Sequence, residues 1–131
     1  MPVELTPNLT KNFKATLKDL KARFVRELGD KLDSIILYGS IARGNFGKES
    51  DIDLLLISNE KKLAEKAYDI GYDVDIKNNT VTSILIYSPE EMRKNIELGS
   101  PFIRNVINEG KKIHDDGTWK KLRLSLVGAS R

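Results

Sequence analysis

Apolar and polar positions follow two periods along this chain, and those periods predict its elements. From Lys11 to Leu28, apolar residues fall at Phe13, Leu17, Leu20, Phe24, Val25 and Leu28. Intervals of three and four place them on one side of an amphipathic helix, with Lys11, Lys14, Lys18 and Lys21 outward. Gly29 ends the pattern, and Asp30-Lys31-Leu32-Asp33 turns the chain into a strand over Ser34–Tyr38. A short helix over about Ser40–Asn45 and a loop over Phe46–Ser50 lead to a second strand, Ile52–Ile57. That strand is apolar without alternation, as a central strand covered on both faces should be. Residues 1–9, with Pro2 and Pro7, read as a loose lead-in, with Asn8 or Thr10 as the helix cap.

The second half continues the alternation. Glu60 to about Asp75 reads as a long helix whose inner face is Leu63, Ala64, Ala67, Tyr68, Ile70 and Gly71. Asn78-Asn79 is a turn signal, and Thr80–Tyr87 a third strand. Ser88-Pro89-Glu90-Glu91 starts a helix with serine at the cap and proline at the first position, introducing Met92–Leu98. Gly99-Ser100-Pro101 starts another, Phe102–Glu109, with Phe102, Ile103, Val106 and Ile107 inward, and Gly110 stops it. Lys112–Asp115 reads as a short edge strand, and Asp116-Gly117 as a turn. Trp119–Val127 carries Trp119, Leu122, Leu124, Leu126 and Val127, apolar enough to pack on this domain or on another chain. The order α-β-α-β-α-β-α-α predicts an α/β (α+β) fold, one small mixed sheet flanked by helices.

Composition narrows the class. At 131 residues the expectation is one domain over 1–131, with a core over about 10–115 and a C-terminal tail over 116–131. With 40% hydrophobic and 31% charged residues, the chain is a globule rather than a disordered segment. No apolar run approaches the ~20 residues that span a bilayer, and the N-terminus lacks a signal-peptide profile. Zero cysteines excludes disulfides and thiolate metal sites. A cytoplasmic location without membrane contact is therefore expected. The single His114, at the predicted sheet edge, argues against zinc. The net charge of +3 is spread along the chain with no basic stripe interleaved with aromatic platforms, so nucleic acid is not an expected partner. A modest positive potential still favours a nucleotide or an acidic partner.

The chemistry concentrates in Leu37–Ile57. Asp51 and Asp53 open the second strand, where alternation points both side chains the same way, about 7 Å apart. Two carboxylates on one face hold a hard cation such as Mg²⁺, usually together with a nucleotide's phosphates. Gly39 lets backbone approach a ligand closely; Ser40 would cap the short helix, whose N–H groups favour an anion. Arg43, one turn on, can reach that anion or pair with Asp51, Asp53 or Glu49. Ser50 reads as a turn residue orienting Asp51, with Asn45 and Lys48 as further nucleotide contacts. The pattern is not a Walker phosphate loop: Glu49 follows Lys48 where Ser or Thr is required. Nor is it an EF-hand, since the later acidic ligands and glycine are absent from their places.

Gly39-Ser40, Arg43-Gly44 and Ser50-Asp51-x-Asp53 resemble the signature of the minimal nucleotidyltransferases, relatives of the DNA polymerase beta superfamily. The resemblance covers roughly Thr10 to Asp115. It implies a nucleotidyltransferase fold and transfer of a nucleoside monophosphate, AMP from ATP foremost, to a hydroxyl, with Mg²⁺ as cofactor. It also implies Asp51 and Asp53 as catalytic metal ligands, and Gly39, Ser40, Arg43 and Ser50 as nucleotide-binding residues. Minimal nucleotidyltransferases often act as antitoxins that adenylylate a tyrosine of a helical HEPN ribonuclease toxin. A HEPN-type protein partner is thus the implied acceptor, in a homo- or hetero-oligomer.

One position departs from the family. A third carboxylate is expected on the next strand, but Thr80–Tyr87 contains no acid and Ser83 stands in its place. Asp73 and Asp75 are the nearest candidates for a substitute. The alternative reading is therefore a degenerate module that binds nucleotide, or neutralises its partner by contact, without turnover. Transfer to a small molecule or an RNA 3′ end would call for a basic groove or an extra substrate domain, and neither is visible.

Overall fold

Ser34–Tyr38 (β1) and Ile52–Ile57 (β2), both dominated by branched aliphatic residues, pair antiparallel over five residues at the middle of the sheet. The computed structural model describes residues 11–47 and 49–129, without the side chains of 126–129. The expected lead-in, the cap at Asn8 or Thr10, and the side chains of Lys48, Leu126 and Val127 lie outside the described residues. Two further strands, Thr82–Tyr87 (β3) and Lys111–Asp115 (β4), complete a four-stranded sheet of order β3-β2-β1-β4. β4 runs antiparallel to β1 and β3 parallel to β2, so the sheet is mixed, as the element order predicts.

A parallel pair needs a crossover, and Ala64–Asn78 (α3) supplies it. Lys11–Leu28 (α1) packs beside α3 on one face of the sheet. The residues buried there include Leu17, Leu20, Phe24, Ala67, Ile70 and Val74, against Ile35, Leu37, Ile52 and Leu54. Gly39–Arg43 (α2) sits at the end of β1. Pro89–Glu97 (α4), Pro101–Glu109 (α5) and Thr118–Ala129 (α6) cover the other face. There Met92, Ile96, Ile103, Val106, Trp119 and Leu122 close over Ile36, Leu55 and Ile57. Each such aliphatic or aromatic side chain contributes about 1.5–3 kcal/mol on burial, which fixes the sheet between two helical layers. The C-terminal segment is thus part of this domain's core, since Trp119 and Leu122 are buried. Among the described residues, no helix is long and apolar enough to cross a membrane.

Boundaries differ from the sequence expectation where backbone capping intervenes. The helix expected from Glu60 begins as a 3-10 turn over Lys61–Leu63 and then runs on to Asn78. Asn79 closes it in the left-handed conformation. Thr80 donates its N–H back to the Asp75 carbonyl, so β3 starts at Thr82 rather than Thr80. Asp75 pins this corner: its carboxylate accepts from the Thr80 hydroxyl at 2.8 Å, the Thr82 N–H at 2.8 Å and the Thr82 hydroxyl at 2.7 Å. Thr16, buried on α1, meets the Thr80 hydroxyl at 2.8 Å. α4 begins at Pro89 behind the expected Ser88 cap, which a reciprocal Ser88–Glu91 capping box secures, and it ends at Glu97, one residue before the expected Leu98. Val25, Tyr68 and Phe102, expected inward, are exposed by 38%, 51% and 40%, because helical period alone does not set how far the facing layer extends.

Asp75→Ala should lower stability by about 2–3 kcal/mol, because three donors lose their acceptor at once. Trp119→Ala should cost roughly 3–5 kcal/mol by leaving a cavity under α6. Denaturant unfolding of both variants checks these figures.

Candidate active site

β1 delivers Tyr38 opposite Asp53 of β2, and the next residue, Gly39, already opens α2. Gly39 has φ +78°, a conformation that residues with a Cβ rarely adopt. A Cβ there would also overlap the Asp53 Oδ2 and lie 3.1 Å from its Cγ. Two independent demands therefore require glycine: the left-handed backbone, and the Asp53 carboxylate lying against the residue that enters α2. Ser40 is not the helix cap: the cap position is Tyr38, with extended backbone and no side-chain cap bond. The chain passes from strand to helix with no intervening residue, so Ser40 falls inside the first turn. α2 ends at Arg43, two residues short of the expected Asn45, because Gly44 adopts φ +78°.

Asp53 is half-buried and Asp51 exposed. Burial, and then the charge of Asp51, raise the Asp53 carboxyl above the ordinary carboxylate range, while Arg43 partly offsets them. The Tyr38 hydroxyl is pushed up to about 12, chiefly by burial, with the charges of Asp53 and Tyr87 adding to it. Arg43 pairs with Glu109 of α5, Nη1 to Oε2 at 3.3 Å, rather than with Asp51, Asp53 or Glu49. Ser50 takes the expected turn role, its hydroxyl accepting the Gly47 N–H at 3.0 Å. Asn45 is exposed.

Ser83 is the β3 partner of Asp53 in the parallel ladder, so its side chain stands on the same face, directly beside that carboxylate. The neighbouring β3 residue, Thr82, faces the opposite layer and engages Asp75 there. Asp75 is consequently a corner-pinning residue on the wrong face of the sheet. Asp73 pairs with Arg23 at 3.3 Å on the outer surface of α3 and α1. Neither replaces the third carboxylate. Among the described residues, no group of three or more His, Cys, Asp or Glu could hold a metal. Asp51 and Asp53 nonetheless fit a divalent cation: both donors are oxygen, and the destabilised charge on Asp53 is what a cation relieves. Two carboxylates, with the remaining positions left to phosphate and water, is a usual setting for Mg²⁺.

Beside this pair a pocket of about 250 Å³ opens between α2 and α5. Tyr38, Gly39 and Arg43 form one side, and Phe102, Asn105 and Glu109 the other. The α5 side is absent from the sequence reading, because Glu109 lies 66 residues from Arg43 and helical period alone cannot show which helix faces α2.

A family model described as a nucleotidyltransferase domain matches residues 17–116. A Methanocaldococcus jannaschii protein, provisionally named a protein adenylyltransferase, is 34% identical over 100 residues, covering 74% of this chain and 94% of the relative. A crystal structure of a toxin–antitoxin complex with AMP-PNP has a chain that superposes with TM-score 0.60 at 15% identity, covering 86% of both chains. A structure of a tri-AMPylated Shewanella oneidensis HEPN toxin with its MNT antitoxin gives 0.50 at 13% identity, covering 87% of this chain and 86% of that one. At those identities the two structures share the fold.

The raised Asp53 carboxyl sets a sign. Its folded-state value lies above the usual 3.8, so the folded form binds protons more tightly than the unfolded one. Stability is therefore lost as pH rises through that interval, and the penalty is complete above it. In chelator, Asp53→Asn should melt above wild type near about pH 7, with the gap closing toward about pH 4. Melting curves across that range check it. Gly39→Ala should lose stability at every pH, from backbone strain together with displacement of Asp53.

Proposed function

This chain belongs to the nucleotidyltransferase domain family, and we propose that it transfers AMP from ATP to a hydroxyl of a HEPN-type partner protein. The observation that carries the reading is the Asp53 carboxylate seated on the Gly39 backbone beside Asp51. That contact joins the metal-ligand pair to the start of α2 in one surface. The name of the Methanocaldococcus relative and the AMPylated toxin of the structural neighbour support a protein acceptor.

Asp51 and Asp53 would hold Mg²⁺, which when bound neutralises triphosphate charge and polarises the α-phosphorus. Gly39 and Ser40 take the β- and γ-phosphates at the first turn of α2. Arg43, exchanging Glu109 for a phosphate oxygen, steadies the leaving pyrophosphate. The acceptor oxygen bonds to the α-phosphorus, and the bond from that phosphorus to the bridging oxygen breaks. The hydroxyl proton leaves to an aspartate or to water, since Ser83 carries no charge to receive it. Positioning and charge neutralisation do most of the work in such transfers, so two carboxylates can support a slow reaction.

Ser83 also favours a second reading, in which the pocket binds nucleotide or the partner without turnover. ATP labelled at the α-phosphate, Mg²⁺ and a HEPN partner separate the two. Label on the partner, lost in Asp51→Asn/Asp53→Asn, is the expected result. A tight complex that never acquires label would establish the second reading. Ser83→Asp should tighten Mg²⁺ binding about tenfold, or about 1.4 kcal/mol, by calorimetry. The same substitution should lower the melting temperature in chelator.

A further inference from the structure

We propose that the open edge of β3 and the outer stripe of α3 form the surface on which a second copy of this chain docks, the two sheets joining antiparallel across a two-fold axis at Ile84. β3 is the end strand of the sheet, so one of its edges has no strand beside it among the described residues. The Val81 and Tyr87 carbonyls accept from the Ile52 and Ser58 N–H groups on the β2 side. Alternation then turns Thr82, Ile84 and Ile86 outward. At the two ends of that edge, side chains stand in for a strand. Asp75 accepts the Thr82 N–H at 2.8 Å, and Lys61 donates to the Ile86 carbonyl at 2.7 Å. The N–H and carbonyl of Ile84, between them, have no such substitute.

This edge is complementary to itself. A two-fold axis at Ile84 lets two copies exchange both Ile84 backbone bonds and sets Thr82 of each opposite Ile86 of the other. Thr82 and Ile86 then trade their side-chain partners for backbone ones, while Asp75 keeps both threonine hydroxyls. The released Lys61 lies at the same end of the junction as the other copy's Asp75. A parallel pairing sets lysine beside lysine and aspartate beside aspartate, so charge selects the antiparallel one. Lys61 also pairs with Glu91 of its own chain at 3.0 Å, so this charge orients the pairing more than it strengthens it.

Strength comes from apolar area. The axis keeps both α3 helices on one face of the joined sheet, stripe against stripe. Tyr68, Tyr72 and Ile76 succeed each other by one turn of α3, and with Val81 they border a groove of about 560 Å³ over Ile84. They are 51%, 69%, 64% and 60% exposed in that order. Together they leave open on the order of 500 Å², most of the about 800 Å² that each partner of a standard interface buries. Gly71 lets α3 pass close over Ile84, since a Cβ there would lie 2.9 Å from the Ile84 Cδ1. Tyr72 therefore comes beside the axis.

Sedimentation velocity on the nucleotide-free chain tests the interface. Wild type should dimerise within the micromolar range. Tyr72→Lys should weaken association at least about tenfold, the scale of an interface anchor. Leu98→Lys, at an equally open leucine off the patch, should leave it unchanged. Equal melting temperatures in dilute solution show that both variants fold. NMR-detected hydrogen exchange reports the strand edge: the Ile84 amide should slow as the dimer forms, while those of Ser83 and Leu85, which face β2, stay as they were. A wild type that remains monomeric through the micromolar range overturns the proposal. So does a dimer that Tyr72→Lys leaves intact, or one whose Ile84 amide stays fast. Protection of Ile84 that appears only when a HEPN-type protein is added gives the edge to that protein and overturns the second copy as occupant. None of these readouts involves nucleotide, so the result is separate from that of the AMP-transfer reading.

Discussion

A carboxylate held half out of water, beside a second carboxylate, is a poor place for negative charge unless a cation arrives. Asp53 is in that position, and the rest of the candidate site is arranged around it. The Tyr38–Asp53 pairing fixes its height on the sheet, and Gly39 surrenders a side chain so that its carboxylate can sit against the backbone. Neither the raised Asp53 carboxyl nor the left-handed Gly39 strengthens the fold. The central strands carry them because Ile36, Leu37, Leu54 and Leu55 are completely buried on either side of the site's base. Local destabilisation of this kind is sustained only where surrounding packing over-determines the backbone.

Most of the fold was legible because its two periods are clean. β1, β2 and α1 have the limits that the apolar pattern predicts, since each is bounded by turn chemistry and covered on the expected faces. The errors come from residues whose roles depend on a neighbour far away in sequence. Ser40 looked like a cap because serine precedes an apolar pair, but the residue with extended backbone is Tyr38, at φ −135°. Tyr68 and Phe102 fall on inward helical positions, yet they stay 51% and 40% exposed, and period cannot report the width of the facing layer.

The aspartates are the part of the candidate site most legible in the sequence, because strand alternation is a local rule. Ser83 is put in the third carboxylate's place by the family resemblance, and the parallel register of β2 and β3 pairs it with Asp53. Glu109 and Asn105 had no such rule. Their place against Arg43 and Phe102 is decided by how α5 settles on α2, a tertiary matter settled by Ile103, Val106 and Ile107 beneath. Opposite charge on Arg43 and Glu109 was the only signal, and among 22 basic and 19 acidic residues it selects nothing.

The missing third acid and the Arg43–Glu109 pair have a common electrostatic consequence. A third carboxylate beside Asp53 would add to the negative charge there and draw Arg43 inward. With serine there, the charge at the strand mouth is smaller, and Arg43 can be held outward by Glu109 at 3.3 Å. A surface pair of that kind is weak, about 0–1 kcal/mol, so a polyanion can break it readily. On the proposed reading, the same serine would weaken cation binding and leave the arginine available to an incoming phosphate. On that reading the anion's own charge, more than the protein's carboxylates, would complete the site.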